Sequence, residues 1–481
     1  MESKSFLKHF AVIGSGTVFN LFLGLLTTPI ITRLVEPIEY GQLSIFTMYS
    51  GIAVMVLCLG LDQALVRFYY ENDSDEYRRA LLFRCIKLPI VVSVIGCIVF
   101  ICLTSRGLVQ FEFNTIISVL LCVYIIVQLI YRFSLLLVRL AYKSKLYSLL
   151  NVLHKLVYII SAIPLIFFVK GNNLLFLVVA TIVSGLVCML WSVVAQSNLW
   201  NLVRNNDSDC TVKYKELLKY GYPFIFSMGI TTLFQAIDKI SLNRFCSYSE
   251  VGIYSSAMTL VNVFAIVQST FNSLWTPMSV EHYSKDINDK IFYQKGNKII
   301  TVVMFGIGTS LILCKDLFAI LLGEKYREAA YILPFLIFNP IMYTISETTV
   351  CGLIFMKKSK MQVLVAISAC LTNIIGNTIL VPLYGGQGAS ISTGISYIVF
   401  FTARTFLSNR YFYVDYSLKK FYVIVLMLLI YALYNTFVRF NMLSIVGYAI
   451  CMLMIFLLYK ETVLWLICYL LDLIKSVSKK K

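Results

Sequence analysis

Apolar runs of roughly 17 to 26 residues, repeated along nearly the whole chain, restrict this fold more than any other feature. Each can cross about 30 Å of hydrocarbon at about 1.5 Å per helical residue. Charged or Gly/Pro-rich punctuation divides them into fourteen spans, near 10–32, 42–66, 80–104, 114–138, 146–169, 174–197, 217–241, 251–278, 296–314, 329–356, 361–382, 388–409, 420–438 and 443–471. Backbone in lipid must satisfy its own polar groups, so runs of this length become helices. A β-barrel would instead alternate apolar and polar residues over about ten positions, a pattern missing here. The first run is too long for a signal-peptide core and lacks a small-residue cleavage site, so it reads as a retained helix. Lys295 and Lys298 crowd the start of the ninth span, and an interfacial segment is expected after Lys460 and Glu461. The expected fold class is an all-α polytopic membrane protein. Composition agrees: 59% of the 481 residues are hydrophobic and 14% charged, against about 45–50% and about 25% in soluble domains.

The Lys/Arg distribution sets an expected orientation. With the N-terminus inside, 31 of the 41 Lys and Arg fall on the cytoplasmic side and 8 outside, while Lys155 and Lys239 lie within spans. Both termini are then cytoplasmic. The net charge of +17 is largely this inside bias, with the KSVSKKK tail facing anionic lipid heads. It calls for no nucleic-acid partner.

Several chemistries are poorly supported. Most of the thirteen cysteines, among them Cys58, Cys97, Cys102, Cys122, Cys188 and Cys370, sit in apolar runs as small hydrophobes, and no CxxC pair occurs. Three histidines show no metal-ligand spacing, and no GxxxxGK[ST] cradles a nucleotide phosphate. The largest cytoplasmic stretch, about 197–215, is too short for a catalytic domain. No catalytic residue, metal or cofactor is expected.

A polar hinge occurs twice. ITRLVEPIEYGQLS, residues 31–44, returns as SLNRFCSYSEVGIYS, residues 241–255, and Arg33, Glu39, Gly41 and Ser44 align with Arg244, Glu250, Gly252 and Ser255 at a spacing of 211. The hinges follow spans one and seven. Six helices between them is an even number, so the repeat is parallel, about an axis along the membrane normal. A weaker echo pairs YKSKLYSLLNVL at span five with KKSKMQVLVAIS at span eleven. The expected organisation is a six-helix lobe over 1–200, a second over 201–412, and two further helices with a basic tail over 413–481.

The stretches TRLVEPIEYGQLSIF and LGLDQALVRFYYE, with YGYPFIFSMGITTLFQAIDKISLNRF, GEKYREAAYILP and LVPLYGGQGASISTGIS further on, resemble Wzx-type polysaccharide flippases. These belong to the multidrug/oligosaccharidyl-lipid/polysaccharide exporter superfamily. The likeness runs over nearly the whole chain. It implies a MATE-like arrangement of two lobes in a bacterial inner membrane. The implied function is alternating-access transfer of an undecaprenyl-diphosphate-linked O-antigen or capsule repeat unit from the cytoplasmic to the periplasmic leaflet. The implied partners are that lipid-linked oligosaccharide, membrane lipids and other polysaccharide-assembly proteins such as a polymerase or chain-length regulator.

A diphosphate with many hydroxyls needs cations and hydrogen-bonding groups inside the bundle, so intramembrane ionisable residues are the candidates. Lys155 lies ten residues past Lys145, roughly 15 Å deep, with His154 beside it. Lys155 reads either as a substrate contact or as half of a structural ion pair; His154 could serve as a pH-responsive group facing the substrate but reads rather as a packed, hydrogen-bonded ring. Glu347 sits at similar depth in the tenth span, which Pro334 and Pro340 interrupt. Pairing with Lys155, holding a coupling cation or proton, and repelling wrong substrates are all open to it. Asp238 and Lys239 in span seven are each expected to meet a different helix, because adjacent residues do not face one another. Arg132, Arg139 and Lys143 share one stripe at i, i+7, i+11, either a basic ramp or ordinary anchoring. Asp62 and Arg67 suit a structural salt bridge or a substrate contact. At the hinges, Arg33 with Glu39 and Arg244 with Glu250 are expected to form external corners, with an Arg–Glu contact closing an outer gate.

Two other functions compete. A cation-coupled drug exporter of the same superfamily would carry more carboxylates in its first lobe, where Lys155 is the deepest charge. A membrane-embedded polymerase or acyltransferase would need a large external loop, and the longest external loops are about fifteen residues, near 315–328.

Overall fold

The computed structural model describes residues 23–108, 111–168, 171–201 and 210–478. The start of span one, with Lys4 and Lys8, and the terminal Lys479–Lys481 lie outside the described residues. Among the described residues the secondary structure is helical throughout, without strands. The chain forms two compact units, Met1–Ala236 and Ile237–Lys481.

The first unit contains α1 (Leu23–Leu34), α2 (Pro37–Leu57), α3 (Leu61–Phe68), α4 (Asp75–Ser105), α5 (Thr115–Leu140), α6 (Ser144–Phe168), α7 (Asn173–Val194) and most of α8 (Tyr214–Phe245). The hinge between α1 and α2 follows from its residues. Pro37 opens α2 with a pre-set φ, and the Glu39 carboxylate accepts the Glu36 N–H at 3.1 Å. Span two is not continuous. α2 stops at Leu57, and the chain turns through Leu59 and Gly60 at positive φ before α3 begins. A side chain at Gly60 would have its Cβ 2.0 Å from the Gly221 carbonyl oxygen of α8, so only glycine permits this close backbone approach. The turn aims Asp62 at the next helices.

The second unit runs from the end of α8 through α9 (Tyr248–Asn262), α10 (Ala265–Lys285), α11 (Lys290–Leu313), α12 (Lys315–Leu321), α13 (Ala329–Leu336), α14 (Phe338–Thr349), α15 (Cys351–Phe355), α16 (Ser359–Asn409), α17 (Leu418–Phe437), α18 (Met442–Leu458) and α19 (Lys460–Ser478). Span ten is the broken helix α13–α15, its breaks at Ile337 and Val350 rather than at the prolines. It is also the centre of the unit: 83% of its membrane window is buried by protein. Neighbouring side chains take up its backbone groups near the second break. Ser408 Oγ accepts the Gly352 N–H at 2.9 Å, and Tyr416 donates to the Thr348 carbonyl at 3.2 Å. Such help is what lets a helix break inside a membrane.

The 51-residue α16 is two spans meeting at Gly385, whose φ of 54° and ψ of −130° no helix contains. α19 turns 95° from α18, so the last span breaks at the position expected from Lys460 and Glu461. Nine helices among the described residues are long and apolar enough to cross a membrane, and up to eleven when bent pairs are counted. The second half of α16, α1 and the more polar α8 complete about fourteen. The protein is a multi-pass membrane protein.

Candidate functional site

In the first unit, Asp62 is buried and takes two hydrogen bonds from Arg132 on α5, from Nη2 at 2.6 Å and Nε at 2.9 Å. This corrects two expectations. Asp62 does not bridge to Arg67: five residues apart, they lie about 140° round the short α3. Arg67 turns outward and pairs with Glu71 at 3.2 Å. The basic stripe also dissolves. α5 ends at Leu140, Tyr142 turns the chain at φ 54°, and Lys143 instead donates to the Ala195 carbonyl at 3.0 Å. Arg139 is exposed. Of the three, Arg132 alone points inward, already engaged by a carboxylate.

Lys155 and His154 lie midway along α6, the least covered of the nine long apolar helices among the described residues, with 11% of its window buried. The Lys155 ammonium rests against Gly24 of α1, where a Cβ would lie 2.5 Å from Nζ. A glycine thus leaves the space that a mid-helix cation occupies. His154 stacks on Tyr131 at a centroid distance of 6.2 Å and 21° between planes, the packed-ring arrangement.

In the second unit, Asp238 is 5% exposed and sits in a cage of donors. Tyr254 Oη donates at 2.6 Å, Thr393 Oγ1 at 2.7 Å, Asn377 Nδ2 at 2.8 Å and Asn373 Nδ2 at 3.2 Å. Four donors from three helices hold a buried carboxylate without a cationic side chain in the set. Asn373 also receives Asn377 Nδ2 on its own Oδ1 at 2.9 Å. With its amides turned, this oxygen-rich set has the donor chemistry of a small hard cation. As oriented, the carboxylate is satisfied by N–H and O–H groups. Lys239 is half-buried on a face about 100° away from Asp238, as adjacent helical positions require.

Glu347 finds its partner within its own unit. Arg404 Nη1 donates to Glu347 Oε1 and to Ser346 Oγ, both at 2.7 Å, and the two ionised side chains are 8% and 9% exposed. The segment from Ser346 to Thr349 is a polar hub. Thr348 accepts from Asn297 of α11 at 2.7 Å, and Thr349 meets Thr405 of α16 at 2.7 Å.

At the hinges, each glutamate ties to the start of another helix. Glu39 Oε2 accepts from Asn173 Nδ2, at the start of α7, at 3.1 Å. Glu250 Oε2 accepts the Gly386 N–H, at the start of the second half of α16, at 2.9 Å. Arg33 and Arg244 are exposed. Where an Arg–Glu corner was expected, each glutamate reaches a later helix of its own unit, Glu250 through a backbone N–H that favours a carboxylate and Glu39 through a side-chain amide.

Arg404, Tyr254, Asn373, Asn377, Thr393 and Gly24 were not singled out from sequence. The two asparagines carried a readable signal, amides four residues apart within an apolar run. Arg404, six residues before Arg410, was absorbed into the count of cytoplasmic charge.

Two bundles of apolar helices, each with an ion pair tied inside it, define a multi-pass membrane protein. The chain belongs to the polysaccharide biosynthesis protein family, whose profile matches residues 6–283. It is 26% identical over 247 residues, half of this chain, to the capsular polysaccharide biosynthesis protein CapF of Staphylococcus aureus, of whose length the match spans 59%. It is 21% identical over 441 residues to the uncharacterized membrane protein MJ1068 of Methanocaldococcus jannaschii, covering 85% of this chain and 87% of that one. Among solved structures the lipid II flippase MurJ in an inward closed conformation matches with a TM-score of 0.69 at 15% identity, covering 96% of this chain and all of that one. An inward-facing multidrug resistance MATE family transporter of the MOP superfamily matches with a TM-score of 0.51 at 15% identity, covering 82% and 94%. At these identities the likeness concerns the fold.

Proposed function

We propose that this protein flips a polyprenyl-diphosphate-linked oligosaccharide, an O-antigen or capsule repeat unit on undecaprenyl diphosphate, from the cytoplasmic to the periplasmic leaflet of a bacterial inner membrane. Alternating access between the lobes expected over 1–200 and 201–412 moves the substrate. The helices over 413–481 and both termini follow the inside charge bias. The observation that carries the reading is Lys155, midway along a span with only 11% of its window buried, in space kept clear by Gly24. In a member of a polysaccharide biosynthesis family, a cation at that depth suits the diphosphate of the carrier lipid. Arg132 pairs with Asp62 and Glu347 with Arg404, and both pairs support the surrounding frame.

Deletion of the gene tests the proposal. Lipid-linked repeat units should accumulate on the cytoplasmic leaflet and surface glycan should disappear. The wild-type gene should restore it, Lys155→Arg should restore part, and Lys155→Ala should restore none at equal membrane abundance. Normal surface polysaccharide with altered drug sensitivity would replace this reading with the exporter one.

A further inference from the structure

Beyond Gly385 the second half of α16 carries Thr393, Tyr397, Phe400 and Arg404 at i, i+4, i+7 and i+11. At 100° per residue these four fall within about 60° of arc, a stripe roughly 16 Å long. The stripe begins at the Asp238 cage, through Thr393, and ends at the Glu347 pair, through Arg404. Between those ends stand aromatic rings. Phe400 stacks on Tyr343 of α14 with centroids 5.7 Å apart and planes 11° apart. Tyr397 adjoins Phe400 at 6.1 Å and 59°. The Arg404 guanidinium lies 5.6 Å from the Tyr343 centroid and 5.4 Å from that of Phe400.

Exposure around this helix separates two surfaces. Ile395, Thr402 and Phe406 are exposed and lie about 180–220° round from Thr393, which is the side that lipid would cover. Tyr397 and Phe400 are half-exposed on the opposite side, as is Tyr343. Buried residues flank them, with Ser392 and Ser396 on one edge and Phe401 and Thr405 on the other. The three rings therefore lie together, half-buried, away from the fully exposed side, with the Arg404–Glu347 pair at one end. Apolar rings with a few convergent polar groups are what small-molecule sites are made of. For a ligand with flat C–H faces, such as a pyranose, the rings supply stacking area.

We propose that Tyr343, Tyr397 and Phe400 form a saccharide-binding platform in the second unit, taking pyranose rings of the cargo while its diphosphate is held elsewhere. The proposal rests on the flippase reading and adds a sugar subsite to it.

The test compares two lipids on the purified full-length protein by native mass spectrometry. One is undecaprenyl diphosphate carrying a single N-acetylhexosamine; the other is the same lipid without sugar. Wild type should prefer the sugar-bearing lipid. Tyr343→Leu and Phe400→Leu should remove that preference, a loss of roughly three- to tenfold in the affinity ratio, and leave binding of the bare lipid unchanged. Tyr343→Phe, which keeps the stacked ring, and Phe406→Leu, on the opposite side, should retain it. Equal preference in wild type and the two leucine variants overturns the platform, and so does a matched loss of both lipids. Wild type that binds both lipids equally overturns the platform alone. Wild type that binds neither overturns the flippase reading, and the platform with it.

Discussion

The Glu250 carboxylate accepts the backbone N–H of Gly386 at 2.9 Å, tying the hinge before α9 to the start of the second half of α16. In the first unit Glu39, 211 residues earlier, makes the equivalent tie to Asn173 at the start of α7. The repeated hinge glutamate is a helix-start ligand in each unit. Glycine at 385 and 386 makes the second tie possible, because a Cβ on either residue would lie 3.0 Å from Glu250 Oε2.

Glu250→Ala should therefore lower the thermal midpoint of the purified protein by a few degrees, corresponding to about 1 kcal/mol for a lost helix-start ligand. Glu39→Ala should cost less, since its distant partner is a side-chain amide and not a backbone N–H. Gly385→Ala should match or exceed the first loss, given the positive φ there. Scanning fluorimetry in detergent gives all three; an unchanged midpoint for Glu250→Ala would show the tie to be idle.

Substitution at Gly24 should act on Lys155 without touching it. Gly24→Ala meets only the tip of a flexible side chain and should be mild. Gly24→Leu fills the space and should reduce complementation of surface glycan several-fold at normal abundance. Full activity of Gly24→Leu would remove the ammonium from that position in the working protein.

Asp238→Asn should be more harmful than its small change in shape suggests. The carboxylate accepts from four groups, whereas an amide offers one acceptor atom and adds an N–H facing other donors. Expected are a lower thermal midpoint and reduced membrane abundance. Asn377→Ala should do less harm, leaving three donors in place. Equal loss from both changes would count against the cage.

The two buried ion pairs should behave as coupled units. Removing one partner of Glu347–Arg404 leaves a buried charge stranded, at a cost of about 3–5 kcal/mol, and the loss at Asp62–Arg132 should be smaller because water reaches the Arg132 guanidinium. Replacing both partners of a pair by apolar residues should recover much of the loss. A double-mutant cycle on thermal stability measures this directly. Additive losses would mean that the partners act independently.

Sequence alone determined the membrane class, about fourteen spans and the break at Lys460, because span length and charge placement are local consequences of partition between water and lipid. It also marked the residues that bear charge at depth: Lys155, Asp238, Glu347, Arg132. Only the tertiary structure decided their partners. Arg132 reaches Asp62 across 70 residues and Arg404 reaches Glu347 across 57. Such pairings depend on which helix faces pack together, and one lipid-spanning sequence reads much like another. The Asp238 cage shows the same limit: its asparagines stood out as amides in an apolar run, yet their common target is 135 and 139 residues away. Periodicity sets the face on which a residue stands; helix packing chooses what meets it.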